Sequence, residues 1–474
     1  MTLSLYQTRN RIAVGGTVVE PSVFLDFRLP NAATWFYFSL FLTIALFFQF
    51  SRLLSIRNLD LLMLFLLVPG FLILQESSSL FATANRTGEA EAAELVARAH
   101  RGRALGYGWL LVGSLFWFLR AVFDLALVRR PAMSANLNTA GLSWLGIALF
   151  VCLTAVAVRR TPDQADQELV GKRPVPIEQV QDTATAVVQQ AQTTNGQNAS
   201  PATVRFWAER GLAMLCHAAV LTGLVMIGWR HFGDLTAGVG AAALYTLLPY
   251  TAFNIGQVHH VLPTAFLVWA VFCYRRPTVA GWLLGLAAGT SVFPALLVPL
   301  WFGFYSRRGA SRFGLAFVSA TTVSVGVTAL VLWVGPTELN LVTALHLTDW
   351  KPWTAPTTPS IWTGTHWAYR LPLFVLFVGF LVGVTVWPNP KNLSHLMGQS
   401  ASVLIAVQFW HGDQGGVYVL WYLPLLLLMV FRPNLTTAEP PPVVPGSVLA
   451  RWAGAAWRRV RPGTHPANSK PLAV

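Results

Sequence analysis

Charge is what this sequence has least of. Only 11% of its 474 residues are Asp, Glu, Lys or Arg, less than half of the ~25% that a soluble domain carries. Hydrophobic residues make up 54% and the mean hydropathy is positive, which excludes a soluble enzyme and also a soluble domain on a single anchor. Cysteine is nearly absent: Cys152, Cys216 and Cys273 all lie in apolar segments, where they read as small core residues and form neither a disulfide framework nor a metal cluster. Nucleotide-binding glycine loops and a G-x-S-x-G elbow are missing from any plausible strand-to-helix context. No internal repeat of the kind built into many transporters is visible. "MTLSLYQTRNRIAVGGTVVEPSVFLDFRLP" lacks the compact apolar core of a cleavable signal, so the first spanning helix is expected to serve for targeting. No metal and no cofactor are expected.

Apolar length is what the chain has instead. Runs at 35–51, 59–75, 104–128, 140–158, 208–228, 236–253, 259–274, 279–304, 313–334, 369–387, 399–411 and 416–431 approach the ~20 residues that cross a ~30 Å hydrocarbon core as a helix. The expected fold class is all-α, a polytopic membrane protein of about twelve transmembrane helices, because spanning strands would alternate polar and apolar residues. The division expected is a front four-helix block (1–158), a loop of low complexity (159–206), a rear block (207–431) and a proline-rich, then basic, tail (432–474). The loop is rich in Gln, Thr, Ala and Asp and has no apolar face; its residues 170–200 are expected to be open to protease.

The formal net charge of +14 invites a nucleic-acid reading. The basic residues instead flank apolar segments as short clusters (Arg159 and Arg160; Arg275 and Arg276; Arg307, Arg308 and Arg312), which sets membrane topology and meets anionic lipid headgroups. The expected partners include membrane lipids and no nucleic acid. Orientation is contested within the sequence. The rear-block arginines, with Lys391, Arg432 and the tail, all reach the cytoplasm only if 279–308 folds back on itself. Gly289, Thr290, Ser291 and Pro294 interrupt the middle of that segment and would allow such a broken-helix hairpin; a single tilted span is the alternative. The hairpin carries 253–260, 335–368 and 411–416 to the external face, and with them the 159–206 loop despite Arg159, Arg160, Lys172 and Arg173. Charge counting over the front block alone prefers the opposite arrangement.

In the hairpin reading the polar residues of the rear block collect at one face: Gln257, His259 and His260; His346, Asp349 and Lys351 among tryptophans; His366; His411, Asp413 and Gln414. Such groups beside apolar spans are costly unless they face protein or an aqueous cavity, so they mark a candidate site, with interfacial anchoring as the plainer reading. His259 and His260 are adjacent and diverge on a helix, so they do not form a zinc pair. Arg120 and Asp124, four apart in the third span, are expected to form a structural ion pair.

The stretch from "VRFWAERGLAMLCHAAVLTGLVMIGWRHFGD" through "LLPYTAFNIGQVHHVLP", "YRRPTVAGWLLGLAAG" and "FPALLVPLWFGFYSRRG", about residues 203–312, resembles the GT-C superfamily of integral-membrane glycosyltransferases, most closely the group using polyprenyl-phosphate mannose or a related lipid-linked sugar. The shared pattern is an arginine-led helix, an alanine-rich helix ending in "LLPY", "GQ" at the external start of the next helix, "RRP" at its cytoplasmic end, and two short helices with a second arginine pair. The resemblance implies the folded-back hairpin and a multi-pass protein of the plasma (inner) membrane with its site on the external face. It implies a lipid-linked sugar donor, an acceptor that the sequence does not specify, and a catalytic acid in the first external loop, for which Asp163 and Asp166 are the candidates. Gln257, His259 and His260 would line the donor pocket, with His411 and Asp413 opposite. The acid would take the proton of the acceptor hydroxyl while cationic or hydrogen-bonding groups steady the departing phosphate. Where relatives often carry a lysine, this chain has Thr290 and Ser291. The expected function is therefore a glycosyltransferase or a diverged, inactive relative; the competing class is a non-enzymatic transporter or envelope scaffold.

Overall fold

The computed structural model describes residues 32–124, 133–159, 201–306, 308–334, 347–356, 358–435 and 438–439. Within them the chain is all-helical, with no strand. The helices of the front block are α1 (Ala32–Phe47), α2 (Ile56–Met63), α3 (Val68–Ala84), α4 (Glu89–Phe123) and α5 (Thr139–Arg159). Those of the rear block are α6 (Pro201–Ile227), α7 (Leu235–Leu247), α8 (Pro249–Phe253), α9 (Val258–Phe272), α10 (Pro277–Thr290), α11 (Val298–Phe304), α12 (Ala310–Val334), α13 (Leu371–Val386), α14 (Leu393–Trp410) and α15 (Leu423–Phe431). Their starts follow from local chemistry. Ser55 caps α2, Asp234 caps α7, and Asn392 with His395 forms a reciprocal capping box at α14. Proline opens α3, α8, α10, α11, α13 and α15, where its missing N–H is not needed.

Among the described residues six helices are long and apolar enough to cross a membrane, and four more apolar helices are shorter, among them Leu235–Leu247 and Val258–Phe272. A count of about twelve spans is therefore not carried by helix length, because a 15-residue helix such as α9 is only about 22 Å long at 1.5 Å per residue. Two ends of the bundle are marked by contacts between its helices. At one end, His231 at the foot of α6 places Nε2 2.7 Å from the carbonyl of Phe272 at the foot of α9, next to Arg275 and Arg276. At the other, Arg210 near the head of α6 lies under Gly256 and donates to the carbonyl of Ala157 at 2.5 Å. We call these the arginine end and the imidazole end.

Segment 279–308 is broken, as its glycines and proline lead one to expect. α10 stops at Thr290, Ser291 is extended, a 3-10 turn covers Phe293–Leu297, and α11 returns. The Tyr305 hydroxyl donates to the carbonyl of Tyr274 at 2.6 Å, so the chain comes back to the arginine end from which it left. α12 then runs parallel to α10 at close range. A Cβ on Gly281 or Gly285 would lie 2.5 Å from the carbonyl oxygen of Phe313 or Phe317, and Ala316, Ala320 and Ser324 complete the small-residue seam. Small side chains are what let two helices approach this closely without a hydrophobic drive between them.

The front block is not a separate body. Arg120 grips Asp60 through two hydrogen bonds (2.6 and 2.8 Å) and also meets Asp124 at 3.0 Å. The other oxygen of Asp124 receives two bonds from Arg432, the residue that follows α15, at 2.7 and 3.1 Å. The ion pair expected within the third span thus extends into an Asp60–Arg120–Asp124–Arg432 chain joining α2, α4 and the end of the rear block. It lies at the arginine end, where Gly398 of α14 also meets α4 near Asp124.

The helices α3 and α4 continue well beyond the apolar runs that announce them. Gly70 packs on Leu110, Gly106 on Leu74 and Gly102 on Ser77, an antiparallel pair. Leu110 is level with Gly416 at the imidazole end, so the part of α4 from Glu89 to Gly106, roughly 25 Å at 1.5 Å per residue, stands clear of that end as a charged two-helix arm. Glu89 and Glu91 in the first turn of α4 favour its start through the helix dipole.

Candidate functional site

Gln257 is the extended residue before α9, and His259 and His260 occupy its first turn. Their rings, expected to point apart on a helix, instead lie 4.3 Å apart between centroids. His260 packs on Tyr418 (5.4 Å), and Tyr418 on His411 (6.0 Å). The polar residues expected from two distant stretches of sequence therefore meet, with the Tyr418 ring between them. Gln257, His259, His260, His411 and Asp413 are all buried.

His411 and Asp413 sit on the turn between α14 and α15. The Nδ1 of His411 donates to the Asp413 carbonyl at 2.8 Å. One oxygen of the Asp413 carboxylate accepts from the Thr358 amide at 2.7 Å and from the Thr358 hydroxyl at 2.8 Å. The ring of Trp350 stands 4.6 Å from His411. Trp421 is sandwiched between Tyr418 (4.1 Å) and Phe293 (3.8 Å), so the tip of the α10–α11 hairpin is stacked directly on this cluster.

The remaining expected residues fare differently. Asp163, Asp166 and His346 lie outside the described residues, as do 170–200; the helices that flank the loop, α5 and α6, both meet the imidazole end through the Arg210–Ala157 contact. His366 is exposed and caps the 3-10 turn Trp367–Arg370, accepting from the Ala368 amide. Lys351 is exposed.

Three residues of the cluster were not singled out from sequence. Arg370 is 1% exposed; it donates to the Thr354 carbonyl and lies against Gly412, where a Cβ would collide with its Nη1. Asp413 is within its electrostatic reach. Arg210 stacks on Phe206 and lies 2.8 Å from the place a Cβ on Gly256 would occupy. His217, two turns deeper in α6, is 2.9 Å from the Tyr245 hydroxyl and is an electrostatic neighbour of His260. Arg210 is the middle residue of "ERG" just inside a long apolar helix and His217 lies deeper in the same helix, and an ionisable residue in that setting is itself a signal; Arg370 carries no comparable motif. Among the described residues no group of three or more His, Cys, Asp or Glu is placed to hold a metal ion.

The arrangement can hold a ligand that presents hydroxyl groups and negative oxygens to imidazole, amide and guanidinium groups beside stacked aromatic rings. No family model matches the chain, and no curated protein and no solved structure is significantly similar to it.

Proposed function

We propose that this chain is an integral-membrane glycosyltransferase that takes a sugar from a polyprenyl-phosphate donor at the imidazole end, which faces the outside of the plasma (inner) membrane. The observation that carries the reading is the hairpin. Its feet meet at Tyr274 and Tyr305 beside the arginines, and its tip, through Phe293 and Trp421, stacks on the His260–Tyr418–His411 cluster. A folded-back pair of short helices with both arginine ends on one side is what the resemblance of residues 203–312 implies.

The same geometry supports an orientation. Arg275, Arg276, Arg308, Arg312 and Arg432 belong to the arginine end, which the positive-inside rule assigns to the cytoplasm. Short helices joined end to end, α2 with α3 and α7 with α8, complete the crossings that neither makes alone.

In this function Gln257, His259 and His260 hold the donor's sugar phosphate, and Asp163 or Asp166 takes the acceptor's proton. The test is transfer from a radiolabelled polyprenyl-phosphate hexose by the purified protein in lipid nanodiscs. Asp163→Asn or Asp166→Asn, whichever is the base, will leave donor binding nearly unchanged and reduce turnover by about 10²–10⁴-fold. Gln257→Ala and His259→Ala will weaken donor binding by about fivefold each, the worth of a neutral hydrogen bond near 1 kcal/mol. Absence of both binding and transfer by the wild type across a broad acceptor panel would overturn the proposal.

A second reading, carriage of a lipid-linked or amphipathic molecule without transfer, is favoured by Asp413. Its carboxylate is occupied by two hydrogen bonds from Thr358, a geometry suited to holding and not to proton abstraction. Binding without transfer in the same assay would select it.

A further inference from the structure

Residues 347–356 and 358–370 cross the imidazole end as a strap. Trp350 packs against His411 at 4.6 Å and lies 6.3 Å from Trp421. Further along, the strap closes on two buried ionic groups: the Thr354 carbonyl accepts from Arg370, and Thr358 donates its amide and hydroxyl to Asp413. A buried guanidinium thus holds an oxygen, and a buried carboxylate beside it holds a hydroxyl.

Those are the two contacts by which a sugar phosphate is recognised, an anionic oxygen on arginine and a sugar hydroxyl on a carboxylate. Arg370 is poorly satisfied by the strap. Its Nε is buried without a hydrogen-bond partner, although buried polar groups are nearly always paired and an arginine has five donors to place. The same end of the bundle holds further buried atoms without a hydrogen-bond partner: Nε1 of Trp362, Trp410 and Trp421, Nε2 of Gln408, and Oε1 of Gln257 and Gln414. Donors predominate, which suits a ligand rich in oxygen. Gly412 has room for the guanidinium only because it lacks a Cβ.

We infer that Arg370 and Asp413 are a binding pair for a sugar phosphate and that the strap occupies it in this structure, the Thr354 carbonyl standing where an oxyanion would bind and the Thr358 hydroxyl where a sugar hydroxyl would. The identity of the ligand rests on the glycosyl-donor reading above; the competition between strap and ligand does not depend on transfer. Arg370 also places a cation at this end of the bundle, where a departing phosphate would need one.

The experiment uses the full chain in nanodiscs, with a polyprenyl phosphate carrying one mannose and soluble mannose 1-phosphate as alternative probes. Hydrogen exchange reads the Thr358 amide, whose proton is donated to Asp413. At saturation the lipid-linked probe is expected to speed that exchange at least tenfold; release by the soluble probe alone would show that the lipid contributes nothing to recognition and would still support the pair. Thr358→Val removes a competing hydroxyl and keeps the amide, so it should tighten binding by about tenfold, the worth of one hydrogen bond to a charged group. Arg370→Gln should abolish both binding and release, and Arg370→Lys, which keeps the charge and guards against a misfolded variant, should fall between.

Unchanged affinity in Thr358→Val, a Thr358 amide still protected at saturation, or no binding of either probe to wild type and Thr358→Val would each overturn the inference. Sugar transfer with the strap closed would overturn it and leave the enzyme reading standing. Strap release with no transfer would do the reverse.

Discussion

At the scale of single residues, burial decides which charges matter. The Asp60–Arg120–Asp124–Arg432 chain is charge-balanced, and the Asp124 carboxylate at its centre is fully enclosed. Breaking a buried pair by removing one partner costs about 3–5 kcal/mol because the remaining charge stays desolvated. Asp124→Asn is therefore expected to lower the melting temperature in detergent markedly, as Arg120 and Arg432 both lose their shared partner. The Arg98–Glu76 pair on the arm has side chains 67% and 60% exposed, and exposed pairs are worth about 0–1 kcal/mol. Glu76→Gln should leave the same melting curve almost unmoved. The third-span pair was legible because its members are four apart on one helix; Asp60 and Arg432 were not, because nothing local links them to it.

At the scale of elements, the hairpin shows how far a local break can be read. Gly289, Ser291 and Pro294 announce that a helix ends. They do not say whether the chain then continues or returns, since both choices satisfy the same backbone. The return is made by contacts remote in sequence: Tyr305 to Tyr274, and the Gly281–Gly285 seam against α12. Gly285→Leu should force α10 and α12 apart, at about 1–3 kcal/mol for overpacking a close interface, measured as a lowered unfolding midpoint. Cysteines placed singly at 276 and 308 should both resist an impermeant thiol reagent added from outside. Labelling at one and not the other would dismantle the hairpin orientation.

At the scale of the whole molecule, the division into front and rear blocks describes chain order and not packing. α4 bonds to Asp60 of the front and, through Asp124, to Arg432 of the rear, while α5 meets α7 through a 2.5 Å contact between Thr139 and Thr236. The arm of α3 and α4 rises from the same end as the imidazole cluster. A cysteine at Glu89, and one at Arg159 where the chain leaves α5, should therefore react with the external reagent while 276 and 308 do not. Protection of Glu89 with labelling of 276 would invert the orientation and put the cluster in the cytoplasm.

Composition and apolar length were enough to determine an all-helical chain with helices long and apolar enough to cross a membrane, because hydrocarbon demands internally bonded backbone and a run of apolar residues answers that demand as a helix. They also marked the imidazoles, since His259, His260 and His411 stand out wherever apolar residues surround them. Helix length was less legible: the arm between residues 76 and 103 is charged, and apolarity, the signal that reveals spans, is silent there. That His260 and His411 share the ring of Tyr418, that Arg370 lies against Gly412, and that Thr358 closes on Asp413 was decided by tertiary structure alone. These contacts join residues up to 158 positions apart, and no local rule of propensity, capping or period constrains which helix end will meet which; the packing of the bundle sets it.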